Sequence, residues 1–479
     1  MPRRKQEPQK LQEPENKKAK EIEETDGLPE EEVTKEPIEA ENGTKKEQKI
    51  KLSLPKDCGE LVITGGANWS VNGRKKAKKG DEKYENAGKN LWKPHRYKSM
   101  CGIKVSRAIS GCCSNHNIVI TPEGKVYSWG RNECGQLGHG DRDRYDTPRP
   151  IQSLQQYTIV NASTGKNHTL CLTEGGDVFS FGDNTQGQLG LGNLSTNVPS
   201  PTRIAYHSHP LVEVACGGDF SVLLDCEGNV YSFGSPEYGQ LGNNTDGQYF
   251  AKGNKIAFDN VKSAFRIPLW IEKTKGGQTI PINDVKITSI ACGVNHVVAL
   301  DAKKRVFTWG FGGYGRLGHS EQKDEHMPRL VQAFDRTGRG AVQVYAGYSF
   351  SLALNEMGST LFWGLQGSVS NRDSTMYPKP VADLQGWKVR SIGCGHRHTV
   401  VAADESVICW GTGTSNGELG LGESRKSSVN PDLMKSAANL YVQRVECGQV
   451  HTLMVVRDET DKDKDALAEL PVYDPKPNP

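Results

Sequence analysis

A unit of about fifty residues returns along most of this chain, and that repetition limits the possible folds more than any single motif does. Its clearest copy is GKNHTLCLTEGGDVFSFGDNTQGQLGLGN, Gly165 to Asn193. Gly165, two polar residues and His168 open it. A short apolar run follows, then the turn signal Glu174-Gly175-Gly176, then Val178-Phe179-Ser180-Phe181-Gly182. Two β-like runs around a Gly-containing turn predict a hairpin. The closing Gly187-Gln188-Leu189-Gly190 supplies the backbone freedom that a sharp turn requires.

The residue in the place of His168 reads His116, His168, Phe220, His296, Phe350, His398 and His451, at intervals of 52, 52, 76, 54, 48 and 53 residues. The aromatic-Gly pair that ends the hairpin falls at Trp129, Phe181, Phe233, Trp309, Trp363 and Trp410. Gly-x-Leu-Gly begins at Gly135, Gly187, Gly239, Gly315 and Gly417, whereas the Trp363 unit reads LQGSVSNRDS instead. A further unit is split. Val450 to Val456 lacks its aromatic-Gly partner, and Leu61 to Gly65 resembles the missing strand at the other end of the chain. Units of this length suit four-stranded blades, and a closed ring of blades removes most exposed sheet edges. The expectation is an all-β fold, a seven-bladed β-propeller closed by pairing of the N- and C-terminal strands. The composition agrees: 53 glycines and 35% hydrophobic residues fit many short strands joined by Gly-rich turns.

The expected domain plan has a disordered charged tail at 1–57, the propeller at 58–457 and a charged C-terminal tail at 458–479 with a short helix at Asp463–Leu470. Within the propeller, the 76-residue interval implies an insertion at about 246–287, including a hairpin that turns at Lys275-Gly276-Gly277. A basic excursion, 73–98, carries ten Lys/Arg against three acids, with Trp92 and Tyr97 interleaved. Its Arg74, Lys75, Lys76, Lys78 and Lys79 are candidates for binding a polyanion, DNA or an acidic tubulin tail, with salt-sensitive affinity. The alternative is a solvated loop whose aromatics pack on the first blade. In the tail, residues 1–20 carry seven Lys/Arg against three Glu. Two clusters, Arg3, Arg4 and Lys5, then Lys17, Lys18 and Lys20, suit an importin groove that reads extended cationic chain.

Net charge is only +3, so the molecule as a whole is not a strongly basic nucleic-acid binder. No run reaches the ~18 apolar residues that span a bilayer, and the opening MPRRKQEPQK lacks the apolar core of a secretory signal. No membrane insertion is expected. Cys216, Cys292, Cys394 and Cys447 each precede a repeat glycine, the pattern of small buried fillers in a reducing compartment. The ring of histidines invites a metal or proton-transfer reading, but Phe220 and Phe350 stand at the same place and can do neither. A structural role, with imidazole bonding nearby backbone, is expected. No G-x-S-x-G, H-E-x-x-H or phosphate-cradling loop is present, so no catalytic residues, metal, cofactor or small-molecule substrate are expected, and the chain is expected to be a monomer.

Gly-x-x-His, aromatic-Gly and Gly-Gln-Leu-Gly at this spacing resemble the regulator-of-chromosome-condensation propellers, over about residues 58 to 457. NLWKPHRY, SFGSPEYGQLG, IEKTKGGQ and WGFGGYGRLGH sharpen the resemblance to one branch of that family. That branch implies regulation of small GTPases of the Rac, Ral and Arf types, by nucleotide exchange or by sequestration. It also implies roles in mitosis, chromosome segregation and kinetochore–microtubule attachment. The implied locations are nucleus and cytoplasm, with centromere, spindle and midzone in mitosis. In the founding member, the Ran exchange factor, acidic and His residues in the turns before the His marker engage the GTPase. The matching turns here retain Asp219 and place Arg397 where a second His would suit that pattern. Asp219, Tyr348, His396 and Arg397, with Lys273 and Lys275 of the insertion, are the GTPase-facing candidates. The founding member's wedge-like excursion has no evident counterpart after Gly182 or Gly234. A chromatin- or microtubule-binding adaptor without GTPase activity is the alternative reading.

Overall fold

The computed structural model describes residues 50–72, 88–367 and 374–475. Each full repeat folds into an antiparallel sheet. In blade two, Ile159–Thr164, His168–Thr173, Val178–Asn184 and Ser195–Arg203 pair in that order. Blades one and three to six follow at 107–150, 211–266, 287–330, 341–380 and 389–433. The first strand of each blade touches the first strand of the next, and Val442–Cys447 of the last blade meets Arg107–Ile109 of the first. The sheets therefore stand as a ring around an axis, with first strands innermost. His168–Thr173 and its siblings are buried along their whole length, because neighbouring blades cover both faces of each.

The seventh blade is assembled from both ends of the chain, as expected. Glu60–Gly66 lies antiparallel to His451–Val456, with Leu61 opposite Val455 and Ile63 opposite Leu453. On its other side runs Asn90–Tyr97. The aromatic end of the basic excursion is thus a blade strand: Tyr97 is fully buried, donating its hydroxyl to the Asp146 carbonyl at 2.7 Å. Arg74, Lys75, Lys76, Lys78 and Lys79 lie outside the described residues, as do the tail clusters from Arg3 to Lys20.

Three expectations about the periphery change. Most of the tail, 1–57, is outside the described residues, but 50–57 are described and strap across the ring. Leu52 N–H donates to the Glu174 carbonyl at 2.8 Å, and Leu54 packs between blades. The C-terminal segment is docked, because its apolar residues find burial: Ala466, Leu467 and Tyr473 leave water. Its helix, Asp461–Ala468, starts two residues earlier than expected, at a capping box of Thr460 and Asp463. Val472–Tyr473 then adds a parallel fifth strand to the closing blade. The single insertion at 246–287 is two hairpins. Gln248–Ala251 pairs with Lys255–Phe258 in the third-to-fourth loop of blade three. Trp270–Lys273 pairs with Thr279–Ile282 and docks parallel to Glu325–Leu330 on the outer edge of blade four. Between them Val261–Arg266 completes blade three.

The joints between blades explain the repeated residues. In blades one, two, four and six the marker imidazole Nε2 lies 2.8, 3.0, 3.0 and 3.1 Å from the hydroxyl of Thr169, Ser221, Ser351 or Thr452 in the following blade. Each hydroxyl donates back to the carbonyl of Gln136, Gln188, Arg316 or Glu418, at 2.8 to 2.9 Å. These are the second residues of the Gly-x-Leu-Gly turns. A hydroxyl has one proton to give, so the imidazole is the donor to it and carries its proton on Nε2. The histidines therefore bond hydroxyls, with backbone one step further on. The turn's leucine fills the joint: Leu137, Leu189, Leu241, Leu317 and Leu419 are at most 1% exposed. The second glycine has a positive φ and no room for a Cβ; at Gly138 and Gly190 one would strike the Phe181 or Phe233 ring at 2.9 Å.

Burial holds the marker imidazoles neutral, lowering His116, His398 and His451 to about 3 and His168 to about 4. An unfolded chain takes up these protons near pH 6.5, while the fold does not. Their contribution is complete above that value and is lost as pH falls from about 6.5 toward about 4. Melting temperature should drop between about pH 7 and about pH 5, and His168→Phe should flatten the slope by about 1.4 kcal/mol per pH unit at most. A slope unchanged in His168→Phe, read by thermal melts across this range, would contradict the assignment.

Candidate protein-binding face

Seven turns between first and second strands emerge on one face, and backbone hydrogen bonds tie blades two to six in series and blade seven to blade one. Lys166 N–H donates to the Gly218 carbonyl at 3.3 Å, Gly218 to Val294 at 2.8 Å, Val294 to Tyr348 at 3.4 Å and Tyr348 to Gly395 at 3.3 Å. Gln449 donates to Ser114 at 3.0 Å, joining blade seven to blade one. Six turns run from glycine through two residues to the marker. Blade one adds two more, reading Gly111-Cys112-Cys113-Ser114-Asn115-His116. The extra pair dips into the ring: both cysteines are buried, and Cys113 Sγ lies 3.8 Å from the Gly217 carbonyl of blade three. The adjacent Cys112 thiol and burial push Cys113 well up, so it is a poor nucleophile.

Asp219, Tyr348, His396 and Arg397 all lie on this face. Lys166 Nζ approaches the Asp219 carboxylate at 3.9 Å, while burial, with Asp183 and Glu237 nearby, raises that carboxyl. The rings of Tyr348 and His396 are 4.0 Å apart. Burial and the neighbouring Arg397 lower His396 to about 4, which keeps it neutral. Arg397 is exposed, with Nη1 3.4 Å from the Gly413 carbonyl. Lys273 and Lys275 sit apart, on the outer flank of blade four. Lys273 Nζ is held by buried Glu325 at 2.6 Å, beside a cavity of about 870 Å³ that Lys275 also lines.

The sequence reading missed an aromatic band on the same face, because its members come from the third-to-fourth loops and not from the marker turns. Tyr238 and Phe311 have ring centroids 4.8 Å apart, and Arg316 lies 4.6 Å over Phe311 and 5.6 Å from Tyr314. Arg316 stands where most siblings have Gln, is nearly buried, and donates to the Tyr348 carbonyl at 3.3 Å. Burial lowers it to about 10, still charged at neutral pH. The band thus runs from Tyr238 through Tyr348 to His396 over one buried guanidinium. Beside it the hairpin of blade three carries Tyr249, Phe250 and Ile256, which are 50, 74 and 57% exposed. It emerges from the loop after Gly234 and falls inside the insertion expected at 246–287, although no counterpart of the founding member's wedge was expected there. The intact Gly-Gln-Leu-Gly concealed it, since the hairpin begins only after that turn.

Along the axis, the seven innermost strands enclose a cavity of about 400 Å³ lined by Arg107, Arg390, Arg444, Glu213 and Glu446. Burial raises Glu213 to about 7 and Glu446 to about 8. These charges are of mixed sign, and Ser289 Oγ donates to Glu213 Oε1 at 3.3 Å. On the surface, His209, Cys226 and Glu227 bring their ligand atoms within 4.8 Å of one another, with His209 and Glu227 exposed. This trio comes from two separate loops and was not expected from the sequence.

A family model described as RCC1-like domain matches residues 57–454. The chain is 53% identical over 430 residues to the Protein RCC2 homolog of Xenopus laevis, covering 90% of this chain and 83% of that protein. Among solved structures, Prp20p from Saccharomyces cerevisiae, described with its binding properties to Gsp1p and histones, aligns at 19% identity with a TM-score of 0.65. That alignment covers 88% of this chain and 96% of the yeast chain. Yeast RCC1 (Prp20) bound to Kap60 aligns at 18% identity and a TM-score of 0.66, covering 91% and 99%.

If the two-residue extension of blade one closes the axis, Cys113 should resist alkylation in the native chain while Cys226, at the surface, labels readily. Mass-spectrometric mapping after brief maleimide treatment measures this, and fast labelling of Cys113 in the folded protein would contradict the packing described.

Proposed function

This chain belongs to the RCC1-like domain family, and from that premise we propose that it is a non-enzymatic regulator that grips a small GTPase with its turn-bearing face. The observation that carries the reading is the aromatic band from Tyr238 to His396, flanked by the exposed Tyr249 and Phe250. Half-exposed aromatics around a buried Arg have the composition of an interface hot spot, and rigid rings cost little entropy when a partner orders them. Asp183, Asp219 and Glu237 add an acidic margin that would face cationic residues of the partner.

Such a face needs no catalytic group. A protein accelerates nucleotide release by binding the nucleotide-free GTPase more tightly than the loaded one, and equal affinity for both would make it a sequestering scaffold. The projecting hairpin supports the exchange version, because an apolar tip beside the docked partner can favour an opened nucleotide site. Rac, Ral and Arf types are the GTPases we propose, in mitotic and cytoskeletal settings at centromere, spindle and midzone. Importin and chromatin contacts through the basic clusters complete the proposal; the yeast relative's described binding to Kap60, Gsp1p and histones supports that class of partner.

Release of a fluorescent GDP analogue from purified Rac and Ral, with and without the full chain, tests this. Acceleration is expected, and Phe250→Asp together with Tyr348→Ala should reduce it by about tenfold or more with little change in melting temperature. Failure of the full chain both to accelerate release and to bind either nucleotide-free GTPase would overturn the reading.

A further inference from the structure

Among the described residues, His209, Cys226 and Glu227 are the one group that brings three metal-binding side chains of different chemistry together. Strand register puts them there. The first two strands of blade three, Leu211–Cys216 and Phe220–Asp225, pair with Leu211 opposite Asp225. The chain just before Leu211 therefore runs beside the turn just after Asp225. Cys226 N–H donates to the Pro210 carbonyl at 3.0 Å, which carries the pairing one step past the sheet. That step sets His209 next to Cys226 and Glu227. Because the marker turns join the same two strands at their other ends, the trio lies at the opposite end of the blade from the turn-bearing face.

The backbone on both sides is held in place by its own contacts. Asp225 Oδ1 accepts from the N–H of Glu227 at 3.0 Å and of Asn229 at 2.8 Å, fixing the turn that carries Cys226 and Glu227. On the other side, Tyr206 donates its hydroxyl to Asp225 Oδ2 at 3.4 Å, and the Tyr231 hydroxyl lies 3.3 Å from Ser208 Oγ. The rings of Tyr206 and Tyr231 meet edge to face, 5.1 Å apart. His209 thus stands between an anchored Ser208 and Pro210, whose carbonyl is also tied. From this frame His209 and Glu227 project into water, and Cys226 is half-buried.

The trio offers one imidazole nitrogen, one sulfur and one carboxylate oxygen, all within 4.8 Å of one another. Zn²⁺ accepts all three donor types, at about 2.0–2.3 Å. A thiolate is too soft for Mg²⁺ or Ca²⁺, which select oxygen. Side-chain adjustments of less than about 1 Å at the donor atoms bring them to those lengths. We propose that His209, Cys226 and Glu227 bind Zn²⁺, with water in the fourth position, and that the ion staples the loop joining blades two and three to the hairpin turn of blade three. The Cys226 thiol gives its proton to solvent as it becomes a ligand. The marker histidines, buried in the blade joints, take no part, and the site does not depend on the GTPase reading.

Titration of the untagged full chain with Co²⁺, read by absorbance, and with Zn²⁺ against a chromophoric chelator tests this. A thiolate-to-cobalt charge-transfer band is expected, bleached by Zn²⁺, together with slower maleimide labelling of Cys226 once Zn²⁺ is bound. Cys226→Ser should abolish the band. Cys226→Ser, His209→Ala and Glu227→Gln should each weaken Zn²⁺ binding by about tenfold or more. All three side chains reach the surface, so the variants keep the fold, which an unchanged melting temperature without metal verifies. Absence of saturable Zn²⁺ binding, or an affinity unchanged in any one of the three variants, overturns the proposal.

Discussion

Four of the seven blade joints are fixed by one polar relay made between buried surfaces, and the ring is built around it. A blade carries a hydrophobic sheet on both faces, and seven such blades could pack at many angles if only apolar area were counted. The hydroxyl between a marker imidazole and a turn carbonyl removes that freedom. It has one proton and one approach for each partner, so the register of neighbouring blades is fixed wherever His168 meets Ser221 and Ser221 meets the Gln188 carbonyl. The turn leucine then seals the joint from water, where an unpaired hydroxyl would otherwise cost about 1–3 kcal/mol. Repetition in the sequence is the repetition of this one contact.

That is why the fold could be read from residues. Marker, aromatic-Gly and Gly-x-Leu-Gly each report on the joint, and their spacing gave the blade number, the split seventh blade and its closure by Leu61–Gly65. What escaped was whatever the joint does not govern. Val261–Arg266, VKSAFR, alternates weakly because its outer face meets solvent, so it vanished inside one apparent insertion. The strap at 50–57 and the capped helix at 461–468 have a few apolar residues each among charges, and only the ring shows them a place to bury. The marker histidines were read as structural with nearby backbone as partner, and the hydroxyl of the next blade was missed. The hydroxyls of Thr169, Ser221, Ser351 and Thr452, one place after their own markers, pair with the marker of the preceding blade, a relation invisible within a single unit.

The candidate face divides along the same line. Asp219, Tyr348, His396 and Arg397 were legible because they occupy the variable pair inside a regular turn. Lys273 and Lys275 were grouped with them as part of the insertion, and the docking of their hairpin on the flank of blade four separates them. The band from Tyr238 to Phe311 and the tip at Phe250 grow from loops whose regular part, Gly-Gln-Leu-Gly, conceals the irregular part beside it. Regular positions hold the ring together, and the departures from the rule lie at the blade-one turn, the blade-three hairpin and the blade-five joint.

This division can be tested by removing the joint hydroxyls one at a time and measuring unfolding in denaturant. Thr169→Val, Ser221→Ala, Ser351→Ala and Thr452→Val each break a satisfied relay and should destabilise the chain by about 1–3 kcal/mol. Thr399→Val, at the joint of blades five and six, removes a buried hydroxyl that already lacks a partner, and should leave stability unchanged or slightly raised. Equal losses at all five positions would contradict the account, because the joint hydroxyls would then be ordinary core groups and the blade-five joint no different from the rest.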